Sequence, residues 1–377
     1  MRIHFQINTL SMNCLNKVLK LLVAIYCLYG SKSYAETLDT SCVPFDCCRP
    51  DGHAPLGIMT DHIHGKGQWT VSYTYMNMMM QGNVIGTSKI DDSKIYQDYM
   101  MAPDKMIMQM HMVMAMYGIT DRLTVMGMFS YIQNSMSMNM TPNTSMMMNM
   151  PGMNMGTMSP DQMNAMMNTK TSGLGDTKLY GLYKIIDKNR QRIILSAGLS
   201  IPTGSITEKG TTLLGDNQIL AYPMQIGTGT YNLMPGITYV GQKYFFSWGG
   251  TTNANIKMGT NSEGYAWGNE YNVSGWVSYK WCRWISNSIR LEGSSTDQMS
   301  GYDKNIALLM NNDPNSNANN YGGQRANAYL GMNFYKDKCS LKGGRLSIEY
   351  GIPIYQNLNG PQMSLKSSLM AGWLHTF

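Results

Sequence analysis

Charge is scarce in this chain of 377 residues: Asp, Glu, Lys and Arg make up 14 %, against about a quarter in an ordinary soluble domain. No apolar run is long enough to cross a bilayer as a helix, and the mean hydropathy is −0.25. A bundle of membrane helices is therefore excluded. The net charge of +6 is spread thinly, with no basic block, so no nucleic-acid partner is expected. Phosphate loops are missing too. "GLGDT" (Gly173–Thr177) and "GTGTY" (Gly227–Tyr231) are followed neither by Lys-Ser/Thr nor by a helical pattern, as a nucleotide cradle requires. His111 and His375 have no Ser or Asp constellation around them, so no enzyme is expected.

What is abundant is glycine (38), tyrosine (24) and methionine (38). Low charge with much Gly, Tyr and Asn suits a barrel whose strands show lipid on one face and water on the other. The first residues read as an export signal, 1–35. Lys17 and Lys20 precede the apolar Leu21–Gly30, and small Ser33 and Ala35 mark a cleavage site. Five cysteines follow it: Cys42, Cys47, Cys48, Cys282 and Cys339. Export permits disulfides among these five, and their odd number leaves one thiol over.

Period-two alternation, the mark of a half-buried strand, recurs along the rest. Twelve strands are expected, at 68–81, 105–117, 123–133, 172–186, 192–202, 229–240, 244–255, 268–280, 285–295, 321–335, 345–355 and 363–377. Connections after strands 2, 4, 6, 8 and 10 are mostly short, and those after strands 1, 3, 5, 7 and 9 are long. An outer-membrane barrel with short periplasmic turns and long outer loops has that asymmetry; a soluble β-sandwich gives no reason for it. The division expected is a signal (1–35), a periplasmic Cys/His segment (36–66) and a transmembrane barrel (67–377) with a Met/Asn-rich outer loop at 134–171. "SLMAGWLHTF" (Ser368–Phe377) alternates to an aromatic last residue. That ending is typical of barrels inserted by the outer-membrane assembly machinery, so that machinery, through Phe377, and outer-membrane lipid are expected partners.

Most methionines lie between Met76 and Met167. In "KMIMQMHMVMAMY" (Lys105–Tyr117) every even position is methionine, and a period of two cannot be a helix face. Met76, Met78 and Met80 continue the Thr/Ser face of the first strand, as Met126 and Met128 do in the third. Together with Met106, Met108, Met110, Met112, Met114 and Met116 they are expected to line the lumen. Thioether sulfur is soft and suits Cu(I) or Ag(I). Packing against apolar solutes and sacrificial oxidation are the alternatives. A second candidate cluster is N-terminal: Cys42, Cys47, Cys48, His53, Asp61, His62 and His64. Imidazole and thiolate are metal donors, but C-x4-C-C is no standard zinc spacing. A disulfide-tied lead-in with hydrogen-bonded histidines explains the same residues.

Several stretches together resemble one family: Cys47–Met78, Tyr117–Tyr131, Ser172–Leu179, Tyr222–Tyr239 and the last strand. They are similar to the Met- and His-rich branch of outer-membrane transporters related to the phenol-degradation MetA-pathway barrels. The resemblance implies a β-barrel and solute passage. Three functions follow as expectations: a small-solute channel carrying soft metal ions, a channel for apolar or aromatic compounds, or a surface scaffold or adhesin without transport.

Overall fold

A computed structural model describes residues 45–141, 160–336 and 344–377. The signal segment, Cys42, Cys339 and the centre of the methionine-rich connection lie outside them. The described residues belong to one compact unit, Cys42–Phe377. No helix among them is long and apolar enough to cross a membrane.

Strands dominate. In chain order they are β1 (Trp69–Gly86), β2 (Ser88–Ile90), β3 (Met101–Gly118), β4 (Leu123–Met140), β5 (Asn168–Leu174) and β6 (Thr177–Lys188). Then come β7 (Gln191–Ile201), β8 (Lys209–Thr212), β9 (Gly215–Ile219), β10 (Tyr231–Lys243), β11 (Phe246–Met258) and β12 (Tyr265–Ala266). The last are β13 (Glu270–Lys280), β14 (Ile285–Thr296), β15 (Ser300–Gly301), β16 (Gly323–Lys336) and β17 (Gly344–Thr376). Eleven of them close a ring in the order β17-β16-β14-β13-β11-β10-β7-β6-β4-β3-β1, sealed by β1 against β17, while β2 and β5 attach outside it. Every pairing is antiparallel. Closure removes the edges that a bilayer would leave unsatisfied.

The alternation read from sequence orients the strands. Thr70, Ser72 and Thr74 are buried inward on β1, while Trp69 and Tyr73 face outward. On β7 Arg192, Ile194, Ser196 and Ser200 point in, and Leu195 and Leu199 point out. Leu195 pairs with Ile237 and Tyr183 to form an outward apolar band. Replacing it by arginine is expected to cost about 2–4 kcal/mol if that band sits at mid-bilayer, less near an interface. Equilibrium unfolding in lipid vesicles measures this. Aromatic residues crowd the end of the ring that carries the short connections: Trp69, Tyr244, Phe246, Trp281, Trp284, Trp373 and Phe377 are all exposed there. Such a girdle is what a membrane interface selects.

Several boundaries differ from expectation. β4 runs past Gln133 to Met140, because Met136 and Met138 keep the inward alternation and are buried. The β10–β11 turn lies at 244–245 rather than 241–243, since Lys243 still pairs with Phe246. The expected strand 172–186 is broken between β5 and β6. There Asp176 turns its carboxylate to the amides of Gly204 and Thr228 and to the Thr228 hydroxyl, at 2.7–3.0 Å. At 189–190 both Asn189 and Arg190 have positive φ, 53° and 56°, as a two-residue turn matched to strand twist demands.

His111, outward on β3, is not stranded in lipid. Its Nδ1 is 2.7 Å from the Tyr73 hydroxyl of β1, and its ring packs against Tyr73 and Tyr75. Gln109 donates to the Tyr75 hydroxyl at 2.9 Å. The cross-strand tyrosines thus satisfy the polar groups that the alternation forces outward.

Candidate functional site: a filled lumen and the chamber beside it

A closed sheet of this girth has an interior wider than its own side chains can fill. Residues 45–68 occupy part of it. Phe45 N–H donates to Asp187 of β6 at 3.1 Å, and Gln242 of β10 holds both N–H and C=O of Asp46 at 3.0 and 2.9 Å. Ser247 of β11 donates to the Asp51 carbonyl at 2.7 Å. Arg345 of β17 donates to the carbonyls of Pro50, Arg49 and Cys47 at 2.6, 2.8 and 3.3 Å. The Gly57 amide reaches Glu349 of β17 at 2.8 Å, Thr60 pairs with Thr238 of β10 at 3.1 Å, and the His64 amide reaches Thr124 of β4 at 3.0 Å. These partners come from strands all round the ring, so the segment lies across the lumen. A buried loop needs partners for its backbone polar groups; inward Thr, Ser, Gln and Arg side chains supply them.

Beneath Gly57 sits a buried charged cluster of the wall. Arg290 of β14 is 1 % exposed and is held by Glu349 at 2.8 Å, by Glu292, and by the face of Tyr329, 3.7 Å from the guanidinium carbon. A Cβ on Gly57 would run into the guanidinium of Arg290, which its partners hold in place, so glycine suits the segment there. Sequence reasoning missed Arg290, Glu349 and Arg345. Each lies on the Ser/Thr face of its strand ("SIRLE", "GRLSIE"), and an ionisable residue inside a membrane strand is itself a functional signal.

The methionines face inward. Met106, Met112, Met114, Met116, Met126 and Met128 are buried, and Met76, Met78, Met80, Met108 and Met110 are half-buried on the same even-numbered face. Cross-strand partners are often methionine as well: Met76 with Met110, Met78 with Met108, Met80 with Met106, Met114 with Met128, and Met116 with Met126. The row changes surroundings along its length. Met116 and Met126 pack in an apolar cluster with Ile63, Leu182 and Ile194. Met112, Met114 and Met128 line a cavity of about 60 Å³ shared with His53, Asp61 and His62. Met80, Met106 and Met108 line a chamber of about 510 Å³.

Tyr222, Trp267 and Tyr321, which lie in the long connections, line the chamber too and pack edge-to-face with one another. Glu270 and Arg325 are among its polar lining. The long connections fold inward over the barrel. Leu213, Leu220, Met224 and Leu309 join Met106, Met136, Met138 and Met363 in one buried cluster.

The N-terminal candidates separate. His62 Nδ1 is 2.7 Å from Asp61 Oδ1, and His53 Nδ1 is 3.8 Å from Asp61 Oδ2. His64 packs edge-on to His62 and lies 3.3 Å from Thr70 Oγ1. Burial, with His62 beside it, pushes His64 down to about 3, so it is neutral. Burial and the nearby Arg345 lower His53 well below the usual imidazole range. Burial alone would raise the Asp61 carboxyl, but His62 and the Ala54 amide outweigh it and hold it below its ordinary value. Cys47 stands apart from this group. Its Sγ lies 3.5 Å from Arg192, and burial pushes the thiol up against that cation's pull. Cys48 is exposed. Cys47, Cys48 and Cys282 are free thiols among the described residues.

No family model matches the chain, and no curated protein matches it. Solved structures do. An outer membrane channel from Pseudomonas putida F1 is similar at a TM-score of 0.54 and 14% identity, over 84% of this chain and 97% of that one. A Pseudomonas aeruginosa FadL homologue matches at TM-score 0.39, 11% identity, and 82% and 89% coverage. The CymD monoaromatic hydrocarbon channel matches at TM-score 0.37, 9% identity, and 83% and 89% coverage. The chain thus has the closed antiparallel fold of an outer-membrane barrel.

Proposed function

We propose that the chain is an outer-membrane channel for small solutes with an apolar or aromatic face, narrowed by its own N-terminal segment. The chamber carries this reading: Met80, Met106, Met108 and Met363 and the rings of Tyr222, Trp267 and Tyr321 line it, interleaved with polar side chains such as Glu270, Asn272, Asp297 and Arg325. Apolar and aromatic surface with polar groups set into it is how a pocket holds a small solute that has an apolar face and orients it. The short connections would face the periplasm and the long ones the outside, which leaves Phe377 on the periplasmic side for the assembly machinery. β17 would count as two staves. Its first half, to Leu358, runs antiparallel to β16, and its second half, from Leu358, runs antiparallel to β1. Counted in this way, the eleven strands of the ring would supply twelve staves.

Trp267 provides the test. Phenol or toluene added to the folded barrel in detergent is expected to change tryptophan emission saturably, and the change is expected to vanish in Trp267→Phe. Sulfur–ring contacts are worth about 0.3–1.5 kcal/mol each. Met106→Ala combined with Met108→Ala should therefore weaken binding on the order of tenfold. A linear, non-saturating response in the wild type defeats the reading. Absence of both conductance and binding in a folded barrel would favour a surface scaffold instead.

The unbroken sulfur row, from the His53 cavity to the chamber, favours a second reading in which soft ions such as Cu(I) or Ag(I) pass along it. Leucine in place of Met106, Met108 and Met110 keeps the wall apolar and removes the donors. Loss of Ag(I) binding with aromatic binding kept selects the metal reading; the reverse rejects it.

A further inference from the structure

We propose that His53, Asp61 and His62, with His64 beside them, form a site for a divalent first-row transition ion, Zn2+ or Cu2+, which locks the N-terminal segment in the lumen. This site adjoins the sulfur row at Met112, Met114 and Met128 but draws on imidazole rather than thioether, and it does not depend on what the chamber takes.

One donor atom from each of His53, Asp61 and His62 lies within 4.8 Å of the others. The imidazoles are arranged for ligation rather than for mutual hydrogen bonding: the His53 and His64 ring centroids lie 4.2 and 5.1 Å from that of His62. Asp61 Oδ1 engages His62 Nδ1, which leaves Nε2 of His62 to meet the ion and makes Asp61 its orienting carboxylate rather than a ligand. A carboxylate partner of this kind orients a ligating histidine. Among the described residues Nε2 of His62 and Nε2 of His64 are buried without a hydrogen-bond partner, although His62 is 3 % exposed and His64 7 %. A buried polar atom left unpaired costs about 1–3 kcal/mol, and two such atoms in one cluster point to a shared ligand. The adjoining cavity of about 60 Å³ has room for an ion and a water.

The donor set selects the ion. Three imidazoles, one of them oriented by a carboxylate, suit Zn2+ or Cu2+, whereas Ca2+ and Mg2+ need cages of oxygen. An ion held between His53 and Asp61–His62 joins the two ends of the loop 54–60. That loop carries the Gly57 contact with Glu349 and the Thr60 contact with Thr238. The ion would thus stiffen the part of the segment that crosses the lumen.

The test uses untagged full-length barrel folded in detergent and dialysed against Zn2+, Cu2+, Ca2+ or Mg2+ in turn. One Zn2+ or Cu2+ per barrel is expected, with no Ca2+ or Mg2+. His53→Ala, Asp61→Asn and His62→Ala should each weaken binding on the order of a hundredfold, with folding checked by heat-modifiable gel mobility. X-ray absorption on the loaded wild type decides the matter even if a variant misfolds. A nitrogen and oxygen shell near about 2.0 Å with imidazole outer scattering is expected, and a shell dominated by sulfur near about 2.3 Å would overturn the assignment to the imidazoles. No stoichiometric ion in the folded wild type, or undiminished binding in folded variants, overturns the proposal.

Discussion

Deleting residues 45–66 is expected to turn a narrowed barrel into an open one. In planar bilayers the wild type is expected to show little or no steady conductance, and the deletion a stable open level on the order of tenfold larger or more, because protein in the lumen leaves only narrow, poorly wetted gaps. The walls should survive the deletion, since the ladder of the ring is made without the segment. The deletion does strand Arg345, which donates to three carbonyls of the segment, and exposes it to water in the opened pore. Gly57→Ala offers a route that removes nothing. Its Cβ would run into the Arg290 guanidinium and should lift the segment and raise open probability. Unchanged conductance in both proteins, with the barrel folded, would mean that residues 45–66 do not block the pore.

Glu349→Ala is expected to destabilise the barrel by about 3–5 kcal/mol, because it leaves the Arg290 guanidinium buried with half its counter-charge gone. Two losses combine. The Arg290–Glu349 pair, with both side chains 1 % exposed, is broken, and the Gly57 amide loses its acceptor. Replacing both charges at once, as Arg290→Met with Glu349→Leu, should recover much of the loss, since a matched apolar pair carries no uncompensated charge. The double variant should still release the segment, because Leu cannot accept from Gly57. Thermal unfolding reads the first effect, and limited proteolysis near residue 57 reads the second. A single variant as stable as the wild type would show that Arg290 is neutralised by Glu292 alone.

Outward and inward faces were legible because the strand period is two and the two environments differ sharply. Leu195 beside Ser196, or Tyr73 beside Thr74, needs no further information. The same rule put the methionine row inward, and Met106 and Met116 at 1 % and 0 % exposure lie there. Strand ends were less legible. A change of composition at Gln133 suggested a loop, yet alternation carries β4 on to Met140.

Of the binding candidates, His62 was visible as part of "DHIH". The sequence also grouped it with His53, Asp61 and His64; which of the cluster's members meet, and that Cys47 turns to Arg192 instead, was not legible, because it depends on how the segment curls inside the ring. The lock of Arg290, Glu349 and Gly57 joins residues nearly three hundred positions apart in the sequence, and no local pattern marks that pairing.

Composition and period, which are local quantities, were thus enough for the class of fold, the direction of each side chain and the inward row of sulfur. Only the closed ring decided what fills it. Once the wall is complete, residues 45–68 must find partners inside it for every buried amide and carbonyl. That requirement sets a histidine cluster against Met112 and Met114 and leaves the chamber above it.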